Sequence, residues 1–256
     1  MGSRQSALYE QDSPQSLGPR DFSPSENDVV QVRFVLLNFL PRELVDIIID
    51  EAEYWCRACI GERNEKLKIL ACPYNQHDAR LCYLLTQPIP GNDNLEERRP
   101  RKVRKVVFNT KSHDQGWGGP PTEELEEYGP YHGSFTWFEA GIVRFIDESA
   151  EPVGIHTLIA DPQVLENFMV GPSPRRWFVY CNRTADYNTA RHATIWSLCD
   201  EDRTNDENVA RGRMGKGREF LSHLEPGDRI ALLGRAMFPQ WTNHIVGASI
   251  DIVYSL

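Results

Sequence analysis

Sulfur is scarce in this chain: six cysteines and four methionines in 256 residues. The cysteines are too few and too unevenly spaced for a disulfide scaffold. No stretch approaches the ~18 consecutive apolar residues needed to cross a bilayer. Met1 to Pro14 lacks the apolar core of a secretory signal. Reduced thiols and a cytoplasmic and/or nuclear location are therefore expected. Positive charge is also short, with 28 Lys and Arg against 37 Asp and Glu and a net charge of −9. That balance argues against nucleic acid as the main partner, because neutralising phosphates takes a basic surface. No repeat of solenoid period is visible. A Gly-x-Ser-x-Gly nucleophile elbow and a Gly-x-x-x-x-Gly-Lys-Ser/Thr phosphate loop are both missing.

What is present suits a folded domain. Hydrophobic residues make up 40% and charged residues 25%, which excludes collagenous, coiled-coil and wholly disordered chains. Aromatic stretches and 17 prolines point to β structure with shaped loops. Residues 1–28 are rich in Ser, Pro, Gln and Gly and bury too little to order, so a disordered tail is expected. Gly2 and Ser6 fit an N-myristoylation pattern, and a single acyl chain gives only weak membrane contact.

A helical segment is expected over 29–63. Pro41 suits a first turn, and Leu44, Val45, Ile48 and Ala52 recur at helical spacing, predicting a helix that runs through Trp55 to about Ala58. From residue 64 the texture turns to β. Leu67–Ala71, Arg80–Leu85, Val103–Phe108, Gly133–Phe138, Arg176–Cys181, His192–Leu198, Arg229–Ala236 and Ile245–Tyr254 are short β-prone runs separated by turn residues. A short helix fits Arg218–Leu224. The prolines of 146–175 mark an insertion, and Asp200–Asn208 is a polar loop. Strands with long loops and few helices predict a mainly β fold over 64–256, an antiparallel jelly-roll-type β-sandwich.

The run Ser112-His113-Asp114-Gln115-Gly116-Trp117-Gly118-Gly119 carries the most chemistry. Following a strand, it is expected on a loop at one end of the sandwich, where an indole stacks on an apolar face while polar neighbours exchange hydrogen bonds. His113, Asp114, Gln115 and Trp117, joined by Trp137, Trp241 and Asn243, form the candidate ligand-binding set. The alternative is that these tryptophans plug the core while His113 and Asp114 tie a loop together. No catalytic residue is assigned; a hydrolase built on His113 and Asp114, with Ser134 nearby, has no fixed geometry in the sequence. Cys56-Arg57-Ala58-Cys59 with Cys72, His77 and Cys82 has a passing likeness to a zinc site, but no second Cys-x-x-Cys or His pair completes it, so buried free thiols are expected and neither metal nor cofactor is assigned. Basic residues cluster at 98–105 and 211–218, the first reading as a nuclear import signal, an anion patch or a solvated edge, the second as a hinge or a loop whose amides cradle an anion.

Three resemblances bear on function. Leu40-Pro41-Arg42-Glu43-Leu44-Val45-Asp46-Ile47-Ile48-Ile49 resembles the opening of an F-box, which implies docking on a Skp1-like adaptor of a ubiquitin ligase through Leu40, Pro41, Leu44, Val45 and Ile48. The Ser-His-Asp-Gln-Gly-Trp segment, Asn182-Arg183 with His192–Trp196, and Pro226-Gly227-Asp228-Arg229-Ile230 together resemble a largely uncharacterised fungal family. At the level of fold, the chain is similar to galactose-binding-like jelly rolls, including F-box-associated domains that recognise glycoproteins. These readings lead to a non-enzymatic intracellular recognition module for a protein or glycan ligand. A ubiquitin-ligase substrate adaptor is the alternative.

Overall fold

The architecture comes from a computed structural model, which describes residues 23–72, 77–91, 101–145, 161–198, 212 and 217–256. Two helices, α1 (Glu26–Leu37) and α2 (Arg42–Glu51), lead into the sandwich. α1 begins within the stretch expected to be tail. Its start is fixed by a reciprocal cap: Ser25 Oγ accepts from the Asp28 N–H while the Asp28 carboxylate accepts from the Ser25 N–H. α2 stops at Glu51, short of the expected Ala58. Glu53 then takes φ 47°, and Cys56–Arg63 forms strand β1, paired along its length with the last strand. Cross-strand pairing and burial override a local helical pattern here.

The remaining elements are β2 (Leu67–Leu70), β3 (Asp78–Leu85), β4 (Lys102–His113), α3 (Thr122–Tyr128), β5 (Thr136–Val143), α4 (Pro162–Glu166), β6 (Met169–Val170), β7 (Trp177–Cys181), β8 (Ala190–Ser197), α5 (Gly217–His223), β9 (Arg229–Met237) and β10 (Thr242–Ser255). They build two five-stranded sheets. In the first, β1 and β2 share one side of β10, followed by β4 and β8. In the second, β3, β9 and β5 lie in order, with β6 and β7 both on the far side of β5. The ladders are antiparallel. The fold is thus an antiparallel β-sandwich with a short helical segment at its N-terminal side.

The inner faces supply the core. Val106 and Phe108 on β4 and Ile250 and Ile252 on β10 meet Phe138, Ala140 and Ile142 on β5 and Ile230 and Leu232 on β9, all buried. One end is closed by α5. Its Phe220 sits 5.1 Å from the Trp177 ring and 4.9 Å from Trp196, and Trp196 packs edge-on to Phe108 at 4.7 Å. Aromatic edge contacts of this kind add to the large area each ring buries.

The two outer faces differ. The second sheet is roofed by the described part of the expected insertion: Leu165 and Met169 pack on Cys82, Val143, Ala231 and Leu233. Beside them, Arg235 is pinned between Glu139 and Asp78, and Arg176 reaches Glu166 at 3.0 Å. The outer face of the first sheet carries no such roof among the described residues.

Cys56 and Cys82 are buried free thiols, whereas Cys59 is exposed. Among the described residues no cluster of His, Cys, Asp and Glu is placed to hold a metal, and no helix is long and apolar enough to cross a membrane. Gly2 with residues 1–22, residues 98–100 of the first basic run, 146–160 of the insertion, the 200–208 loop and most of the 211–218 run lie outside the described residues.

Candidate functional site

β4 is 12 residues long, so at ~3.4 Å per residue its ends lie roughly 35–40 Å apart. Each end carries an exposed aromatic or apolar surface. The C-terminal end of β4 runs through His113 into the loop bearing Trp117.

The carboxylate of Asp114 organises that loop. One oxygen accepts from the Gly116 N–H at 2.8 Å and the other from the Ala185 N–H at 2.6 Å, which staples the loop after β4 to the loop after β7. Burial pushes the Asp114 carboxyl above its ordinary range, while the amides of Gly116, Ala185 and Asp186 pull it down. Gly116 holds φ 83°, and a Cβ there would meet Tyr187 Cβ at 2.7 Å. Gly119, at φ 93°, is equally closed off by Thr184 at 2.5 Å. Both the conformation and the space therefore demand glycine.

Gln115 ties the same loop to β10. Its Oε1 accepts from the Thr242 N–H at 3.1 Å and its Nε2 donates to the Trp117 carbonyl at 2.7 Å. The outcome is a braced platform that leaves the Trp117 indole 55% exposed and, on the facing loop, Tyr187 72% exposed.

Beneath the platform lies a polar layer between the sheets. Asn182 donates to Thr136 Oγ1 and to Asn243 Oδ1, both at 3.0 Å. Asn243 donates in turn to the carbonyls of Trp137 at 3.1 Å and Arg235 at 3.2 Å. Ser112 Oγ donates to Asn182 Oδ1 at 2.7 Å and also bonds the Tyr180 hydroxyl. A buried amide is tolerable when its hydrogen-bonding groups are matched in this way.

The sequence-predicted residues therefore separate by role. Asp114 and Asn243 are fully buried and brace the site from within. Trp241 is half-buried, packed edge-on against Phe135 at 5.1 Å. Trp137 stands on the outer face of the second sheet, donating to Glu139 at 2.9 Å with the Arg235 guanidinium over its ring. Of the set, Trp117 is the exposed ring at the rim. His113 stacks flat on His244, ring centroids 4.5 Å apart, and its Nδ1 bonds the Asp114 carbonyl at 2.6 Å. Burial and the neighbouring His113 and Lys68 hold the His244 imidazole below its ordinary value. No acid–base pairing of His113 with Asp114 forms, since the Asp114 carboxylate is committed to backbone amides.

The opposite end of β4 holds the helical hairpin. Val29, Val45 and Ile49 plug into the core, and Arg104 grips Asp50 through bonds of 2.7 and 2.8 Å. Tyr254 donates to Glu26 at 2.7 Å, and Arg33 donates to the Leu256 carbonyl at 2.8 Å. The hairpin is thus anchored by one face. Its other face is bare: Val30, Phe34 and Leu37 on α1, Phe39 in the connection at 80% exposure, and Leu44, Ile47 and Ile48 on α2. Of the expected docking residues, Leu44 and Ile48 point outward, Pro41 is exposed, Leu40 is half-buried and Val45 is core.

Sequence reasoning missed Tyr187, His244 and Phe39, and read Asn182 only as part of a motif. Tyr187 had a readable signal, a single aromatic in the turn-rich run Ala185-Asp186-Tyr187-Asn188-Thr189. Asn182 and His244 gain meaning only from strand register. No family model matches the chain, and no curated protein matches it. The functional reading accordingly rests on the two ends of β4.

Proposed function

We propose that the protein is a non-enzymatic recognition module with two working ends. The braced loops carrying Trp117 and Tyr187 take the ligand, a protein or glycan, at one end of the sandwich. The bare face of the α1–α2 hairpin docks on a helical partner at the other. The observation that carries the reading is the placement of both exposed clusters at opposite ends of the same strand, each fixed to the sandwich from beneath. A monomer rarely leaves so many large apolar side chains bare on one short hairpin without a partner to cover them.

The F-box-like run Leu40–Ile49 favours a Skp1-like adaptor as the docking partner, which makes the whole a ubiquitin-ligase substrate adaptor. Leu44, Ile47 and Ile48 recur at i, i+3 and i+4, the spacing of a helix face laid into a groove. The test is a binding measurement between the purified protein and a purified Skp1-like adaptor. Complex formation by the wild type, lost in Ile47→Glu and retained in Trp117→Ala, is the expected result. No complex with the wild type overturns the ligase reading. On the ligand side, a glycan array that treats wild type and Trp117→Ala alike overturns the glycan assignment of the loop.

A further inference from the structure

Strand register gathers cations beside the aromatic platform. Across the first sheet Lys68 lies opposite His244, and His244 opposite His113. In the neighbouring row Gly247 lies opposite Lys111, and Lys111 opposite Arg191. Opposed residues share a face and stand ~5 Å apart. It is the outer face, because the alternate positions Thr110 and Ser112 are buried between the sheets.

This concentration runs against the chain as a whole, which is net −9. It also runs against the other cations. Arg57, Arg63, Arg80, Arg104, Arg144 and Arg235 each grip a carboxylate. Among the described residues no carboxylate pairs with Lys68, Lys111 or Arg191. The carboxylates on the same face are already used, Asp251 by Arg57 and Glu62 by the Asn64 amide. Gly247 ends the second row beneath Asn64, whose Oδ1 stands 2.7 Å from where a Cβ would be, so the charge of that row is carried by Lys111 and Arg191. The row joins the loop directly: His113 precedes Asp114, and Gln115 links the Trp117 carbonyl to Thr242, two residues before His244.

We infer that this face is an anion-binding extension of the Trp117 platform, and that the ligand it fits is an acidic carbohydrate, a sugar chain bearing carboxylates or sulfates. The inference rests on the proposal that Trp117 contacts ligand. An exposed indole takes the apolar face of a sugar ring, and the cations beside it take the acidic substituents. The face spans four strands at ~4.8 Å spacing, which matches a short oligosaccharide. A nucleic-acid strand would repeat its charge far beyond this patch, onto a surface that is acidic on balance. The His113 and His244 imidazoles stack flat at the centre, ring centroids 4.5 Å apart. Burial first, then His113 and Lys68, disfavour protonation of His244 in the free protein, and a bound anion beside it offsets that penalty.

The experiment is calorimetric titration with a short sulfated, uronate-containing oligosaccharide and with its desulfated, carboxyl-reduced counterpart. Parallel titrations use an acidic phosphopeptide and a single-stranded oligonucleotide. The acidic sugar is expected to bind, more tightly at low salt and low pH, and its neutral counterpart to bind at least tenfold more weakly, as the loss of two or more ion pairs implies. The double variant Lys111→Gln/Arg191→Gln and the single variant Lys68→Glu should each weaken the acidic sugar while circular dichroism stays unchanged. Equal binding of acidic and neutral sugars, unaffected by those variants but lost in Trp117→Ala, overturns the anion face and leaves the platform reading standing. Acidic-sugar binding lost in the double variant but untouched by Trp117→Ala keeps the face and removes the platform. Tighter binding of the phosphopeptide or oligonucleotide, or no binding of any probe, overturns the assignment to carbohydrate.

Discussion

The two ends of β4 hold an exposed surface in place in opposite ways. At the loop end, exposed rings stand on a polar substructure: the Asp114 staple, the Gln115 tie and the Asn182–Asn243 layer. At the hairpin end, bare apolar side chains stand on an apolar plug, Val29, Val45 and Ile49, clamped at its margin by Arg104 and Asp50. Hydrogen bonds are directional and fix a geometry, as the proposed ligand surface would require. Apolar burial is non-directional and fixes proximity, which suits a broad protein contact.

Substitutions should separate the two designs. The largest effect is expected from Asn243→Ala, which strands the Asn182 amide and two buried carbonyls. A loss of about 3 kcal/mol in urea unfolding follows from the cost of unsatisfied buried groups. Val45→Ala should cost about 2 kcal/mol through a cavity at the foot of the hairpin. Hydrogen exchange should report faster opening in α1 and α2 and little change in the 112–119 loop. Gly116→Ala should cost about 1–2 kcal/mol, because an alanine there is strained at positive φ and strikes Tyr187. Its proteolytic sensitivity should rise at the loop end and leave the hairpin as it was. Phe39→Ser, a change to a bare residue, should move stability by less than ~0.5 kcal/mol while weakening adaptor binding. Equal behaviour of both ends in the exchange and proteolysis experiments would collapse the comparison.

The smallest effect concerns pH. The His244 imidazole binds its proton less readily folded than unfolded, so its contribution to stability is present above the ordinary histidine range and is lost as pH falls through the unfolded and then the folded value. His244→Gln should flatten that acid-side slope in unfolding curves taken around and below pH ~6.5. An unchanged slope would place the responsible group elsewhere.

Local pattern determined much of this protein. Short β-prone runs with turn residues between them located β2, β3, β7, β8, β9 and β10, because β-branched and aromatic side chains fit a pleated, buried surface, and a two-turn helical run located α5. The succession of such runs with few helices pointed to the antiparallel sandwich. The Ser-His-Asp-Gln-Gly-Trp run was legible as a loop following a strand, although its Ser112 and His113 belong to β4. The capping box of α1 was also written in Ser25 and Asp28, where an apolar pattern was the wrong thing to look for.

Tertiary structure alone decided the rest. Cys56–Arg63 becomes strand because β10 offers it a partner almost two hundred residues away, and no local window contains that information. Whether a tryptophan is core or surface depended on what stands opposite: Phe220 covers Trp177 and Trp196, whereas nothing described covers Trp117. The basic rows arise from register across β2, β10, β4 and β8, so Lys68, His244, Lys111 and Arg191 look unrelated when read along the chain. Sequence sets which faces are apolar. Register, set by long-range hydrogen bonding, sets which charges and rings become neighbours.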